Sequence, residues 1–540
     1  MVEHSPALRL ARVRARVALA RCGMLLGLGL LVAGCAGLPP GAAYPKLPSS
    51  ALGQPLATKL GAHVAHAVQA HGGLSGFRIL PVGVDGFLTR AQMIGAAERS
   101  LDLQYYIFHA DESGRLLSAA LLAAADRGVR VRILIDDGDT KRGDERVIAL
   151  DAHPNVEVRV FNPFYYRGHW KGLRAAEFLF EHARLDYRMH NKLLVVDNAA
   201  ALVGGRNIGN QYFQMDPESQ FADDDVFAIG PVAGQLSATF DEFWNSAFAI
   251  PAAGLIGSHA PAPGLPDLQT SALEHDGVDY GLALASGEPY AGMLAERLPL
   301  VWAHARVLSD SPDKKQVKSG ASAGRLIRGA VLDAARATRS ELMIVSPYFV
   351  PTADELALLG ELRERQVRVR VLTNSLESAA ELFAHSGYLK LRVPLLEQGV
   401  ELNEVRSMLS YSQGSGQTAA ISSHGNYALH AKLYVFDRQK LFVGSMNFDQ
   451  RSEHLNTEIG LMIDSPELAN QTARRFEAMT EPQNSFVLAL HRTPTNATPA
   501  LLWQTREKGE MVEYDREPTR RRWHRWLTRW MAWLPIEGEL

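Results

Sequence analysis

Cysteine is nearly missing from this chain: Cys22 and Cys35 are the only two in 540 residues. Both stand near the start, so the body of the protein has no disulfide and its fold rests on core burial, for which the length is ample. There is also no H-E-x-x-H and no cysteine cluster, the spacings that hold zinc, and neither a metal nor any other cofactor is expected. An excess of one charge is absent as well, because 56 basic residues stand against 59 acidic ones, a formal net charge of −3. That balance gives no general footprint for nucleic acid, and no nucleic-acid partner is expected. The N-terminal apolar run, Met24 to Ala33, is too short to span a bilayer. It follows spaced arginines (Arg9, Arg12, Arg14, Arg16, Arg21) and ends in small residues before Cys35, so residues 1–34 read as a cleaved signal peptide.

What the chain does have is an internal repeat. HNKLLVVDNAAALVGGRN, from His190 to Asn207, returns as HAKLYVFDRQKLFVGSMN from His430 to Asn447. Both copies spell H-x-K-x-x-x-x-D, six residues, then G-x-x-N. Five fixed residues at roughly one in twenty each would match by chance about once in a few million positions. In each copy two short apolar runs flank a turn at Asn198 or Arg438, the pattern of a hairpin of buried strands. Residues two apart on a strand share a face, so His190 projects with Lys192 and His430 with Lys432. Lysine beside histidine repels a cation and argues against a metal site. The turns at Gly204–Gly205 and Gly444–Ser445 are expected to let backbone approach an anion, with Asn207 and Asn447 adding amide donors. Two such half-sites facing each other suit one phosphate diester between a nucleophile and an acid.

The repeat extends beyond the motif. Helix, strand, helix and strand over Ala91–Arg99, Ser100–Phe108, Leu116–Arg127 and Val129–Ile135 recur over Ala334–Leu342, Met343–Phe349, Ala353–Arg365 and Val367–Leu372. His430 lies 240 positions after His190, and Gln366 lies 238 after Gly128. The fold class is therefore α/β, two pseudo-symmetric repeats with sheets flanked by helices and the active site at their interface. The expected divisions are 35–75 as anchor and linker, 76–260 as first repeat, 261–320 as link, 321–480 as second repeat and 481–540 as a C-terminal extension. Residues from Gly37 to about Gly53 read as a tether. The arginines alternating at Arg130, Arg132, Arg368 and Arg370 read as solvated, edge-facing charges. The aromatic and basic stretch Phe161–Met189 and the Ser/Gly-rich stretch Ser407–Asn426 run into the two histidines and read as cleft walls.

The twin motif resembles the phospholipase D superfamily over about Arg78 to Asp464. That resemblance implies a phosphodiester-transfer enzyme in which His190 attacks phosphorus and His430 protonates the leaving oxygen, with Lys192, Lys432, Asn207 and Asn447 as phosphate clamps. Asp197 and Asp437 complete the motif's catalytic signature but look structural rather than chemical. The family also places a carboxylate downstream of each motif to orient that motif's own imidazole. Glu458 fits in the second half; Asp223, with Asp225 as the alternative, fits in the first. FNPF, RMHNK and the terminal LPIE resemble the cardiolipin synthases, especially the bacterial C-type subgroup. That implies a phosphatidyl transferase that forms cardiolipin from phosphatidylglycerol and a second phospholipid, with a hydrolytic phospholipase D and a periplasmic or secreted nuclease as alternatives.

The ending Val32-Ala33-Gly34-Cys35 resembles a bacterial lipobox, which implies lipidation at Cys35 and a membrane lipoprotein on the periplasmic side. Ala36, where lipoproteins retained at the inner membrane carry aspartate, favours the outer membrane, with the inner membrane as the alternative. At the other end, Trp523, Trp526, Leu527, Trp530, Trp533 and Leu534 fall near helical spacing among Arg522, Arg525 and Arg529. Such a helix suits either a bilayer interface or packing onto the domain.

Overall fold

The protein is described by a computed structural model over residues 39–138, 144–168, 170–256, 286–314, 327–408, 426–491 and 499–534, plus short strands at 274–275 and 278–279. The signal peptide, Cys35, the end of LPIE and most of the stretch before His430 lie outside the described residues.

The first repeat supplies β1 (Ser75–Leu80), β2 (Ser100–Tyr105), β3 (Arg130–Asp136), β4 (Val156–Phe161), β5 (Arg188–Met189), β6 (Lys192–Val196), β7 (Ala200–Gly204), β8 (Ser219–Ala222), β9 (Asp225–Ile229) and β10 (Ala249–Pro251). A two-residue hairpin, β11 (Glu274–His275) and β12 (Val278–Asp279), precedes β13 (Val301–Ser309). The second repeat supplies β14 (Glu341–Val345), β15 (Arg368–Asn374), β16 (Glu401–Val405), β17 (Asn426–Leu429), β18 (Leu433–Phe436), β19 (Lys440–Gly444), β20 (Asn456–Thr457) and β21 (Ile459–Asp464). Then come β22 (Ser485–His491), β23 (Ala500–Glu507) and β24 (Glu510–Tyr514).

The two ladders repeat each other. β2, β3 and β4 run parallel, and β6, β7 and β9 continue antiparallel from β2. β14, β15 and β16 run parallel, and β18, β19 and β21 continue antiparallel from β14. β13 joins the halves, pairing with β1 through Val301–Ala303 and with β21 through His304–Ser309. Strand alternation then divides each motif hairpin between two cores. Leu193, Val195, Leu433 and Val435 face a core common to both repeats, whereas Leu194 and Val196 face the first repeat's outer core and Tyr434 and Phe436 the second's. The helices Pro231–Trp244 and Pro466–Thr480 start with proline in the first turn, where its missing N–H costs nothing, and cover the common core with Phe240, Trp244, Leu468 and Phe476. At about 1.5–3 kcal/mol for each large apolar side chain buried, the repeats are fused by a core.

Several boundaries differ from the sequence reading. The tether is laid on the first repeat: Arg132 and Arg159 donate to the carbonyls of Ser49 and Leu47, the Lys46 Nζ donates to that of Ala249, and the amide of Ala51 donates to Asp241. The helix Lys59–Ala70, within the expected linker, buries Leu60 and Val64 in the first core. Within the expected link, β13 is a structural strand. In the C-terminal extension, β22–β24 lengthen the second ladder beyond β16. The alternating arginines are not uniformly solvated, because Arg132 is buried between Asp102 (2.6 Å) and Asp241 (2.8 Å) and Arg370 is buried too; only Arg368 is exposed. Paired carboxylates make that burial tolerable.

Candidate active site

Two short parallel pairs stitch the repeats together at the histidines. β5, just before His190, pairs with β20, and the His190 amide donates to the Thr457 carbonyl at 2.9 Å. β17, just before His430, pairs with β8, and the His430 amide donates to the Ala222 carbonyl at 2.7 Å. Each histidine is therefore docked on the strand that precedes the other repeat's carboxylate. His190 Nδ1 lies 2.9 Å from Glu458 Oε2, and His430 Nδ1 lies 2.5 Å from Asp223 Oδ2. The sequence placed each carboxylate on its own repeat's histidine; the structure crosses them, because β5·β20 and β17·β8 are inter-repeat ladders. Asp225, the alternative to Asp223, is excluded: it is buried against Arg90 (2.8 Å) and Arg206 (3.1 Å).

The expected anion-binding turn is also corrected. The amides of Gly205 and Ser445 donate to the carbonyls of Asp224 and Ile459, so neither is open to an anion. The motif needs a small residue there for space. A Cβ on Gly205 would sit 2.1 Å from Asp223 Oδ1, and one on Gly204 would sit 2.3 Å from the Asp224 carbonyl oxygen. At the position equivalent to Gly205, Ser445 turns its hydroxyl onto Glu458 Oε2 (2.5 Å), and Ser452 donates to Oε1 (2.8 Å). Behind them, Asp310 accepts the Glu458 amide at 3.1 Å and is held by Lys314 at 2.7 Å. Ser445, Ser452, Asp310 and Lys314 were missed from sequence. Only Ser445 had a signal, as the motif's serine in place of glycine.

Both lysines are buried and aimed back at their histidines. Lys192 Nζ donates to the His190 carbonyl (2.6 Å), and Lys432 Nζ donates to that of His430 (2.5 Å) and lies 3.2 Å from His430 Nε2. An ammonium has three donors, so each retains hydrogens for an anion. The asparagines are unequal. Asn207 is engaged, donating to the Tyr212 hydroxyl (2.9 Å) and accepting from the Ile107 amide, whereas the buried Asn447 Oδ1 has no hydrogen-bond partner among the described residues. Asp197 and Asp437 stand apart from the centre. Asp197 lies five residues beyond Lys192 along β6, roughly 17 Å at strand rise. It accepts the amides of Glu98, Arg99 and Ser100, while Asp437 accepts those of Arg339, Ser340 and Glu341. They tie the hairpin turns to the start of β2 and β14, a structural role, and leave the catalytic set.

Electrostatically the two histidines are not equivalent. Burial first, then Lys192 and Lys432, holds His190 well below its usual pKa, and burial with Lys432 takes His430 down to about 3. Burial lowers Lys192 well below the usual lysine range and Lys432 to about 8. Burial raises Glu458 to about 7 despite Lys192 and Ser445. It opposes ionisation of Asp223 too, but there the charges of His430 and Lys432 prevail and hold the carboxyl at about 2. Tyr106 packs edge-on to His190 (5.1 Å between ring centres), and Tyr212 and Phe221 flank His430 at 5.2 and 5.3 Å. Among the described residues no cluster of histidine, cysteine, aspartate or glutamate is arranged to hold a metal ion.

Two histidine–lysine pairs contributed by twin α/β repeats to one buried centre define a phospholipase D-type phosphodiester transferase. The family described as "Cardiolipin synthase, PLD-like domain" matches residues 91–244 and 331–480. The chain is 36% identical over 485 residues to cardiolipin synthase C of Escherichia coli, covering 89% of this chain and 99% of that one. It is 25% identical to the major cardiolipin synthase of Bacillus subtilis, covering 74% and 67% of the two chains. It also resembles the crystal structure of phosphatidylserine synthase from Haemophilus influenzae, with a TM-score of 0.49 and 14% identity, covering 79% and 92%. The chain belongs to the cardiolipin synthase family of phospholipase D-like proteins.

Proposed function

We propose that the protein forms cardiolipin from phosphatidylglycerol and a second phospholipid, passing a phosphatidyl group through a phosphohistidine on His190 to the glycerol hydroxyl of phosphatidylglycerol. The observation that carries this reading is the asymmetry of the crossed pairs. Both imidazoles are neutral near pH 7, but the carboxylate that stays ionised, Asp223, sits on His430, where it would stabilise the positive charge of an acid, while His190 faces a carboxyl raised to about 7. With its Nδ1–H donating to Glu458, His190 leaves an Nε2 lone pair for phosphorus.

In the first step Nε2 of His190 forms a P–N bond, the bond from phosphorus to the donor's headgroup oxygen breaks, and His430 gives that oxygen a proton. In the second, the acceptor hydroxyl gives its proton to His430 as its oxygen bonds to phosphorus and the P–N bond breaks. Lys192, Lys432 and the Nδ2 amide of Asn447 would donate to the phosphoryl oxygens. Since water competes with any hydroxyl, transfer needs a cleft that excludes it, and the burial of both half-sites favours that.

The reading is tested by incubating the protein with phosphatidylglycerol, with and without phosphatidylethanolamine, and in parallel with single- and double-stranded DNA. Cardiolipin is the expected product. Phosphatidic acid alone would make the protein a hydrolase, and DNA cleavage lost in His430→Ala would make it a nuclease. The proposal includes a diacylglyceryl anchor on Cys35 that holds the enzyme on the periplasmic side of a bacterial membrane; fatty-acid labelling that persists in Cys35→Ser would remove the anchor from it. Among the described residues no helix is long and apolar enough to cross a membrane.

A further inference from the structure

The helix Arg522–Met531 is mounted with its large apolar face outward. Trp523, Trp526 and Trp530 lie within an arc of about 60° at 3.6 residues per turn and, with the following Trp533, are 52, 69, 54 and 89% exposed. Thr528 is the residue it buries, and Leu527 is half-buried. Four indoles facing water is the reverse of what packing onto the domain produces. Arg522 and Arg529 are exposed beside them. The mounting is rigid: Arg525 donates to the Glu517 carbonyl (2.7 Å), and the buried Glu517 side chain binds His385 (2.8 Å) and Arg392 (2.5 Å) in the second repeat.

A second element shares this character. In the stretch that runs into His190, the helix Lys171–Phe180 buries none of its residues fully. Trp170, Leu173, Leu179 and Phe180 are 75, 50, 75 and 58% exposed, yet Glu177 accepts the amides of Tyr165 and Tyr166, and Arg174 binds Asp137 just past the end of β3. Both helices stand at the end of their sheet that holds the chemistry. In the first repeat Lys192 pairs with Tyr105 at the carboxyl end of β2, the end from which the 162–187 segment leaves β4. In the second, Leu433 pairs with Val345 at the carboxyl end of β14, and the helix Leu382–Leu389, which carries His385, follows the carboxyl end of β15. Those ends converge where His190 and His430 meet.

We infer that the two helices form one docking surface for an anionic phospholipid bilayer, seating the rim of the active-site cleft at headgroup depth. Tryptophan favours the bilayer interface, and arginines flanking it are complementary to anionic headgroups. The inference rests on the proposed lipid substrate only for the choice of phosphatidylglycerol as the anionic lipid.

The test uses the full chain with vesicles of phosphatidylcholine, with and without phosphatidylglycerol, whose acyl chains carry bromine, a contact quencher of tryptophan. Emission is expected to be quenched, more strongly with phosphatidylglycerol and at low salt, and Trp526→Ser/Trp530→Ser is expected to lose most of that quenching. The double variant should turn over vesicle phosphatidylglycerol about tenfold more slowly and monomeric short-chain phosphatidylglycerol at the parent rate. Unquenched emission, or equal quenching in parent and variant, overturns the docking surface. So does burial of these tryptophans by self-association without lipid, which would assign the face to a second copy of the chain. Quenching without phosphatidyl transfer would retain the surface and overturn the proposed function, so the two failures are distinguishable.

Discussion

Glu458 shows how burial sets chemistry at the scale of one residue. Its carboxyl is raised to about 7 by desolvation, so the folded protein binds that proton more tightly than the unfolded chain does. The stability this provides is fully present below about pH 4.5 and is lost as pH rises through 7. Above that the buried charge costs on the order of 3 kcal/mol relative to the protonated form. Glu458→Gln, a permanently neutral isostere, is expected to be more stable than the parent at pH 8 and to lose that advantage below pH 4.5, as read by chemical denaturation at the two pH values. It should also be slower by on the order of 10³-fold, because an amide N–H facing Nδ1 selects the tautomer that protonates the attacking Nε2. A less stable Glu458→Gln at pH 8 would contradict the burial argument.

His430 yields a second expectation at this scale. Burial and Lys432 keep it neutral, with a pKa of about 3, whereas the proposed acid role needs a proton. A diester anion beside Lys432 raises that pKa, so substrate binding is expected to be coupled to uptake of a proton from solvent. Calorimetric binding of phosphatidylglycerol to His190→Ala near pH 6.5, in buffers of different ionisation enthalpy, should show net proton uptake that disappears in His190→Ala/His430→Ala. Buffer-independent heat, or uptake unchanged in the double variant, would contradict it. The histidines, the lysines and the pool of carboxylates were legible in the sequence because the motif recurs. Which carboxylate serves which histidine was not, since the crossing arises from contacts more than 200 residues apart, such as His430 with Asp223.

At the scale of elements, the motif hairpins are held at both ends by backbone. Asp197 and Asp437 fasten the turns, and Gly204 and Gly444 let the neighbouring strand approach at the other end. Adjacent glycines should therefore respond differently. Gly205→Ala pushes against the Asp223 carboxylate, so activity should fall at least tenfold, at a stability cost of about 1–3 kcal/mol. Gly204→Ala meets the Asp224 carbonyl, which has no rotamer to escape into, and should be the more destabilising change. Thermal melts and turnover of the two variants check the order; equal activity of Gly205→Ala and parent would separate Asp223 from catalysis. The alternation of β6 and β18 was readable because a strand's period is two. The tether was not, since Pro, Gly and Ala give no periodicity and the contacts of residues 46–51 depend on Arg132, Arg159 and Asp241 far along the chain. Arg132 misled for a related reason: alternation places it on one face but does not reveal that Asp102 and Asp241 wait there.

For the whole molecule, duplication explains why one site contains two of everything, and small departures from symmetry give the halves different work. Asp223 with Gly205 makes an ionised partner for His430; Glu458 with Ser445 and Ser452 makes a partner for His190 that titrates near 7. The bidentate pair between Arg475 and Asp224 and the common core under both hairpins fix the half-sites against each other. The twofold organisation was legible from the spacing of the motifs, and it extends to strands that were not: β13 lies on β21 as β1 lies on β9, and β22 on β16 as β10 on β4. The second role of β13, pairing with β1 to join the halves, and the added strands β23 and β24 were not legible, because among the described strands neither repeats in the first half.

The central claim, that His190 and not His430 takes the phosphatidyl group, is tested most directly by mass spectrometry of the protein quenched during turnover of phosphatidylglycerol. The peptide containing His190 should carry one phosphatidyl adduct. A donor with a good leaving group, which needs no proton from His430, should form that adduct in His430→Ala and not in His190→Ala. An adduct on His430, or turnover that persists in His190→Ala, would contradict the account.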